Sequence, residues 1–166
     1  MTVLVAYASK YGSTQGIAEA IGGRLRERGL EAEVRPVREA DDLERYEAVV
    51  LGSAVYLGAW RKEALAFLDR NEEALGRMPV WLFSSGPTKA DDPIDLAVSA
   101  KHIRRLESLG ARDHHLFRGA LDPESLSFLE RRAVKAAKQP FGDFREWSDV
   151  ERWADTIADT VAGEKT

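Results

Sequence analysis

The sequence predicts a doubly wound α/β fold, a five-stranded parallel sheet with helices on both faces, and three observations carry that expectation. Short β-branched apolar runs alternate with helix-period segments along the chain, as a parallel sheet covered on both sides requires. The first strand passes at once into a helix through Ser9-Lys10-Tyr11-Gly12-Ser13-Thr14, a turn suited to holding a ligand at the carboxyl edge of such a sheet. No internal repeat, low-complexity segment or linker breaks the pattern, so the 166 residues are expected to form one domain over 1–166 with a core of its own.

Val3-Leu4-Val5, extended by Ala6, Tyr7 and Ala8, reads as a strand buried on both faces. Ile17, Ala18, Ile21 and Leu25 then recur at helical spacing, and Gly29 follows as a natural stop. Ala32 to Val37 is expected at a sheet edge, because Pro36 cannot donate to a ladder. After the polar link Asp41-Asp42-Leu43, Ala48 to Gly52 is a second central strand. A helix from Trp60 to Leu75 turns Ala64, Leu65 and Leu68 inward, and Pro79 to Phe83 is the fourth strand.

Ile94 to Leu109 is a third helix, with Ala97, Ala100, Ile103 and Leu106 inward and Gly110 at its end. His115 to Phe117 is the fifth strand, running out through Arg118-Gly119-Ala120-Leu121. Asp122, with Pro123 at the first position, opens a helix whose stripe is Leu126, Leu129, Ala133 and Ala136 or Ala137. Pro140-Phe141-Gly142 breaks it. The last helix starts after Trp147, with Ser148 as cap and Glu151 at the capping-box position, and buries Val150, Trp153, Ile157 and Val161.

With no cysteine, the chain has no disulfide, zinc-thiolate site, iron–sulfur cluster or thiol catalyst, and a reducing cytoplasm is expected. No apolar run approaches the roughly 20 residues of a membrane span. The N-terminus starts inside a strand with no basic leader, so the chain is expected to be complete as written. A net charge of −4 argues against nucleic acid as the main partner. Arg24, Arg26 and Arg28 cluster on the first helix, and Arg104, Arg105, Arg131, Arg132, Lys135 and Lys138 later. Solvated helix faces account for most of them, and a docking surface for an anionic partner or a peripheral membrane contact is the alternative.

The Ser9 to Thr14 turn combines hydroxyls, a glycine and free backbone N–H groups where a helix dipole begins, which suits a phosphate. Ser13 or Thr14 as a plain N-cap is the other use of these residues. The spacing excludes both G-x-x-x-x-G-K-[ST] and G-x-G-x-x-G, leaving a monophosphate cradle. Ligand-bearing loops should also follow the third and fourth strands. The first of these is Ser53-Ala54-Val55-Tyr56-Leu57-Gly58-Ala59-Trp60, with two aromatic rings and a glycine whose peptide can turn toward a ring nitrogen. The second, Ser84-Ser85-Gly86-Pro87-Thr88, is small enough to let its backbone approach a planar ligand. A phosphorylated receiver would need acidic groups where Ala8-Ser9 and Gly52-Ser53 stand. His102, His114 and His115 are expected to be structural, no metal-ligand spacing occurs, and no catalytic side chain can be named.

The Ser9, Tyr11, Gly12, Ser13, Thr14 pattern resembles the first loop of the flavodoxin family, which wraps the phosphate of FMN. Leu51 to Gly58, Phe117 to Leu121, and Trp147 onward resemble the branch of flavodoxin domains that includes menaquinone-dependent protoporphyrinogen oxidase. Tyr56-Leu57 and the acidic Lys89-Ala90-Asp91-Asp92 are this chain's departures from that branch. The resemblance implies a flavodoxin-like sheet of strand order 2-1-3-4-5 and FMN as cofactor. Its binding set would be Ser9, Lys10, Tyr11, Gly12, Ser13 and Thr14; Ala54, Val55, Tyr56, Leu57, Gly58 and Trp60; and Ser84, Ser85 and Gly86. It also implies a redox partner protein or a quinone- or porphyrinogen-like small molecule. Three functions stay open: an FMN-dependent oxidoreductase, a flavodoxin-type electron carrier, and an interaction module without flavin.

Overall fold

The computed structural model describes residues 2–56, 58–87, 98–136 and 140–164. Strand β1 (Thr2–Ala8) leads into helix α1 (Ser13–Glu27), and β2 (Glu31–Pro36) follows. Next come β3 (Ala48–Tyr56), the short β4 (Ala59–Trp60), α2 (Lys62–Arg70), α3 (Glu72–Leu75) and β5 (Val80–Gly86). The chain continues through α4 (Ala100–Glu107), β6 (Asp113–Arg118), β7 (Ala120–Leu121), α5 (Phe128–Ala136), β8 (Gly142–Asp143) and α6 (Trp147–Glu164). The five long strands are parallel in the order β2-β1-β3-β5-β6, and β2 is an edge as Pro36 predicts.

Alternation along the strands builds two cores. Val3, Val5, Val50, Phe83 and Phe117 meet Ile17, Ile21 and Leu25 of α1 and Trp153, Ile157 and Val161 of α6. Leu4, Ala6, Val49, Leu51 and Leu82 face Ala64, Phe67 and Leu68 of α2 and Leu106 of α4. Gly52 leaves room for the Phe83 ring, since a Cβ there would stand 2.0 Å from it. Gly29, at φ +87, ends α1: its N–H reaches Arg26 O at 3.0 Å, and Leu30 N–H reaches Leu25 O at 3.0 Å, a Schellman closure.

Several expectations need correction, among them the inward side of the third helix, where Ala100 is exposed and His102 is buried. The third strand does not stop at Gly52; it runs to Tyr56, turns back at Gly58 (φ +79) and pairs with β4. Trp60 therefore lies in a strand, and the helix begins at Lys62 and breaks at Asn71. Asp122 caps a 3-10 turn at Pro123–Ser125, accepting from Glu124 N–H at 2.9 Å, while α5 starts later behind Ser127. There Ser127 Oγ accepts from Glu130 N–H and Glu130 accepts from Ser127 N–H at 3.1 Å, the reciprocal capping box. This shift rotates the helix: Val134 is buried, whereas Leu129 and Ala133 are exposed. Finally, α6 begins at Trp147, so Ser148 is its second residue and not its cap.

The α4 start falls at Ser99, whose Oγ accepts from His102 N–H. The expected residues Ile94, Ala97, Ala137 and Lys138 lie outside the described residues.

Candidate functional site

Helix α1 opens on Gly12 at φ +88, with no side-chain cap and no acidic residue in its first turn. Its first backbone bond runs from Gly16 N–H to Gly12 O at 3.1 Å, so the N–H groups of Ser13, Thr14 and Gln15 precede the helical ladder. Neither hydroxyl is spent as a cap. Ser13 Oγ accepts from Ala120 N–H at 2.8 Å, and Ser9 Oγ accepts from Gly12 N–H at 3.0 Å. Thr14 Oγ1 is buried with no partner among the described residues, a state that costs about 1–3 kcal/mol unless a ligand relieves it. An orphaned hydroxyl at an uncapped helix N-terminus fits the oxygens of a phosphate.

The turn forms one wall of a cleft. Ser9, Lys10, Tyr11, Ser13 and Thr14 come from the turn; Ala54 and Val55 come from β3, and Arg61 from the link between β4 and α2. Ser85, Gly86 and Pro87 close it at the end of β5, and Ala120, Leu121 and Val134 make a fourth wall. Gly119 allows that wall to come close: its N–H reaches Gly86 O at 2.7 Å, and a Cβ there would stand 2.9 Å from Ser85 Oγ.

The three expected loops thus converge, and most of the residues singled out for them line the cleft. Gly12 and Gly58 shape its turns through positive φ. Trp60 and Ser84 do not line it; both are buried below, with Trp60 Nε1–H donating to Ser84 Oγ at 2.8 Å. The backbone of Tyr56 belongs to β3, while its side chain, Leu57 and Thr88 to Asp92 lie outside the described residues. The expected binding set left out Arg61, Pro87, Ala120, Leu121 and Val134, although Pro87 stands in the third of the expected loops. Arg61 and Pro87 directly follow residues it named, but Val134 needed the correct helical phase of α5.

The charged side chains that line the cleft are both basic, and each is paired with a carboxylate. Lys10 and Arg61 line it, and no carboxylate does among the described residues. Lys10 Nζ bonds Glu130 Oε2 at 2.5 Å, and the Tyr11 hydroxyl donates to the same oxygen. These bonds, that of Lys10 foremost, hold the Glu130 carboxyl down at about 2. Arg61 donates its backbone N–H to Ser53 Oγ at 3.0 Å, and its guanidinium grips Glu63 at 2.9 and 3.0 Å.

Beneath the cleft, Ser84 Oγ lies 2.7 Å from His114 Nε2. Burial pushes the His114 and His102 imidazoles below their ordinary value. On the opposite sheet face, His115 Nε2 lies 3.0 Å from Asp149. Among the described residues no group of His, Asp and Glu could hold a metal ion, and no helix is long and apolar enough to cross a membrane.

Comparison with known proteins agrees with this architecture. The chain is 27% identical over 86 residues to protoporphyrinogen IX dehydrogenase (quinone) of Escherichia coli (strain K12), covering 51% of this chain and 48% of that protein. It thus spans about half the length of the curated relatives it matches. A flavodoxin from the domain Archaea superposes with a TM-score of 0.62 at 18% identity, covering 98% of this chain and 99% of that one. The rubredoxin oxygen:oxidoreductase of Desulfovibrio gigas gives a TM-score of 0.68 at 13% identity, covering 99% of this chain and 37% of the larger one. Residues 4–146, which contain every wall of the cleft, match the family of the flavodoxin domain. The chain belongs to the flavodoxin domain family, and that membership indicates FMN as its cofactor.

Proposed function

We propose that this chain is a single FMN-binding domain and works as a flavin-dependent oxidoreductase. The observation that carries the reading is the buried, unpartnered Thr14 hydroxyl at an uncapped helix N-terminus, opening into a cleft built by all three expected loops. Thr14 Oγ1 and the first N–H groups of α1 would take the phosphate. The hairpin at Ala54, Val55 and Gly58, and the Ser85-Gly86 end of β5, would flank the ring. Trp60 and Ser84 would act from below, the hydrogen bond between them holding the second loop against the third. When bound, FMN supplies hydride and electron transfer; the chain supplies orientation, with the uncapped start of α1 offered to the phosphate.

The wall of Leu121 and Val134 is what favours an enzyme over a carrier, since it adds an apolar side against which a small molecule could lie. The substrate class proposed is a quinone- or porphyrinogen-like redox compound, in keeping with the E. coli relative. A carrier that exchanges electrons only with a redox partner protein is the second reading, favoured by the flavodoxin neighbours. The lack of cysteine supports a reducing cytoplasm as the place of action.

The test is the visible spectrum of the purified chain after FMN is added and the excess removed. A retained flavin spectrum, lost in Thr14→Val while the circular dichroism is unchanged, supports the site. Retention by Thr14→Val at the original affinity would overturn the phosphate assignment. Turnover of protoporphyrinogen or a quinone by the loaded protein supports the enzyme reading, whereas electron exchange with protein partners alone supports the carrier.

A further inference from the structure

We propose that α5 is a docking face for an anionic lipid bilayer and seats the cleft mouth against the membrane surface. The helix has two unlike sides. Glu130 and Val134, four positions apart, turn inward, the first to Lys10 and Tyr11 and the second to the cleft wall. On the other side Phe128, Arg132 and Lys135 follow at helical spacing, flanked by Leu129 and Arg131. Phe128 is 69% and Leu129 76% exposed, although the same chain buries Phe67, Phe83 and Phe117 completely or nearly so.

The charges on this face are also set apart. Arg24, Arg28, Arg105 and Arg145, on other elements, are each tied to carboxylates. Arg131, Arg132 and Lys135 are exposed and have no carboxylate partner among the described residues. The guanidinium of Arg132 lies over the Phe128 ring, 5.7 Å from its centroid, so cation and apolar surface share one patch. The chain as a whole carries −4, and a free basic patch on an acidic molecule decides which face an anionic surface meets.

A bilayer fits this patch better than an acidic protein does. A protein would need a pocket for two large side chains projecting from a helix, whereas a lipid interface takes them among its acyl chains and offers its phosphates to the cations at the same depth. Val134 belongs to the same helix, so docking brings the cleft to the layer where lipid-soluble electron acceptors partition. That last step rests on the flavin reading; the docking itself does not.

The experiment is sedimentation of the full chain, with and without FMN, with vesicles of phosphatidylcholine alone or mixed with phosphatidylglycerol. Binding is expected to the mixed vesicles at low salt, to weaken as salt rises, and to be absent with phosphatidylcholine alone. Phe128→Ser/Leu129→Ser and Arg131→Glu/Arg132→Glu/Lys135→Glu should each lower it by about tenfold or more. Arg77→Glu, an exposed charge reversal in the turn after α3, should leave it unchanged, with all variants melting as the parent does. Absence of binding to the mixed vesicles, or equal binding by the α5 variants, overturns the proposal. So does a dimer that Phe128→Ser/Leu129→Ser dissolves without any vesicle binding, which would assign the face to a second copy. A colourless protein that still binds vesicles would sink the flavin reading and leave the docking face standing.

Discussion

His114 sits where a proton is costly. Burial is the largest cause of its lowered pKa, the neighbouring His102 and His115 add to it, and Asp113 and Glu107 oppose it. The sign follows from linkage: the unfolded chain binds a proton near the ordinary imidazole value of 6.5, the folded chain only below it. The stability from neutral His114 is therefore fully present above the unfolded value and is lost as pH falls through the folded one. Thermal melts from about pH 7 to about pH 5 should show a falling Tm, and His114→Gln should flatten that slope. An identical slope in the variant would mean that His102 alone carries it. The Trp60–Ser84–His114 chain was not legible in the sequence. It joins residues 30 and 24 positions apart, and its existence depends on which sheet face each strand presents.

At the scale of elements, α5 and the phosphate turn are coupled through one carboxylate. Glu130 closes the capping box of α5 and also holds Lys10 and Tyr11. Glu130→Gln would remove a negative charge beside the proposed phosphate site and free Lys10, while weakening the tie between helix and turn. FMN should bind several-fold tighter and the apo protein should melt lower; equal affinity would show that Lys10 does not reach the phosphate. This helix is also where the sequence was read least well. Leu126, Leu129 and Ala133 form a plausible stripe, but Asp122-Pro123 supports only a 3-10 turn. The Ser127–Glu130 box resets the phase. Strand β3 outran its apolar core for a related reason: Ser53 and Ala54 keep pairing with Ser84 and Ser85 of β5, and Gly58 turns the chain back for β4 to close the hairpin. Pairing partners of this kind are set by tertiary structure and leave little mark on composition.

For the molecule as a whole, apolar runs and helical stripes carried most of the information. The order of the five long strands matches the expected one, and α1, with its Schellman end, could be read directly from Ile17 to Gly29. The fourth cleft wall was hidden, because Leu121 and Val134 meet the turn only after the chain has crossed the whole sheet. If the assembled cleft is the flavin site, cofactor and fold are linked: FMN at about a hundred times its Kd should stabilise the chain by about 2.7 kcal/mol and raise its Tm by about 5–10 °C. Riboflavin, which lacks the phosphate, should raise it far less, and an equal shift would deny the turn any part in binding. Edge strand β2 has a further consequence. An open parallel sheet can go on recruiting strands from other molecules. Pro36 ends the outward ladder of β2, and the charged Glu31, Glu33 and Arg35 alternate along it. On that side the sheet terminates itself, so the protein can be crowded without its rim becoming a seed for fibres.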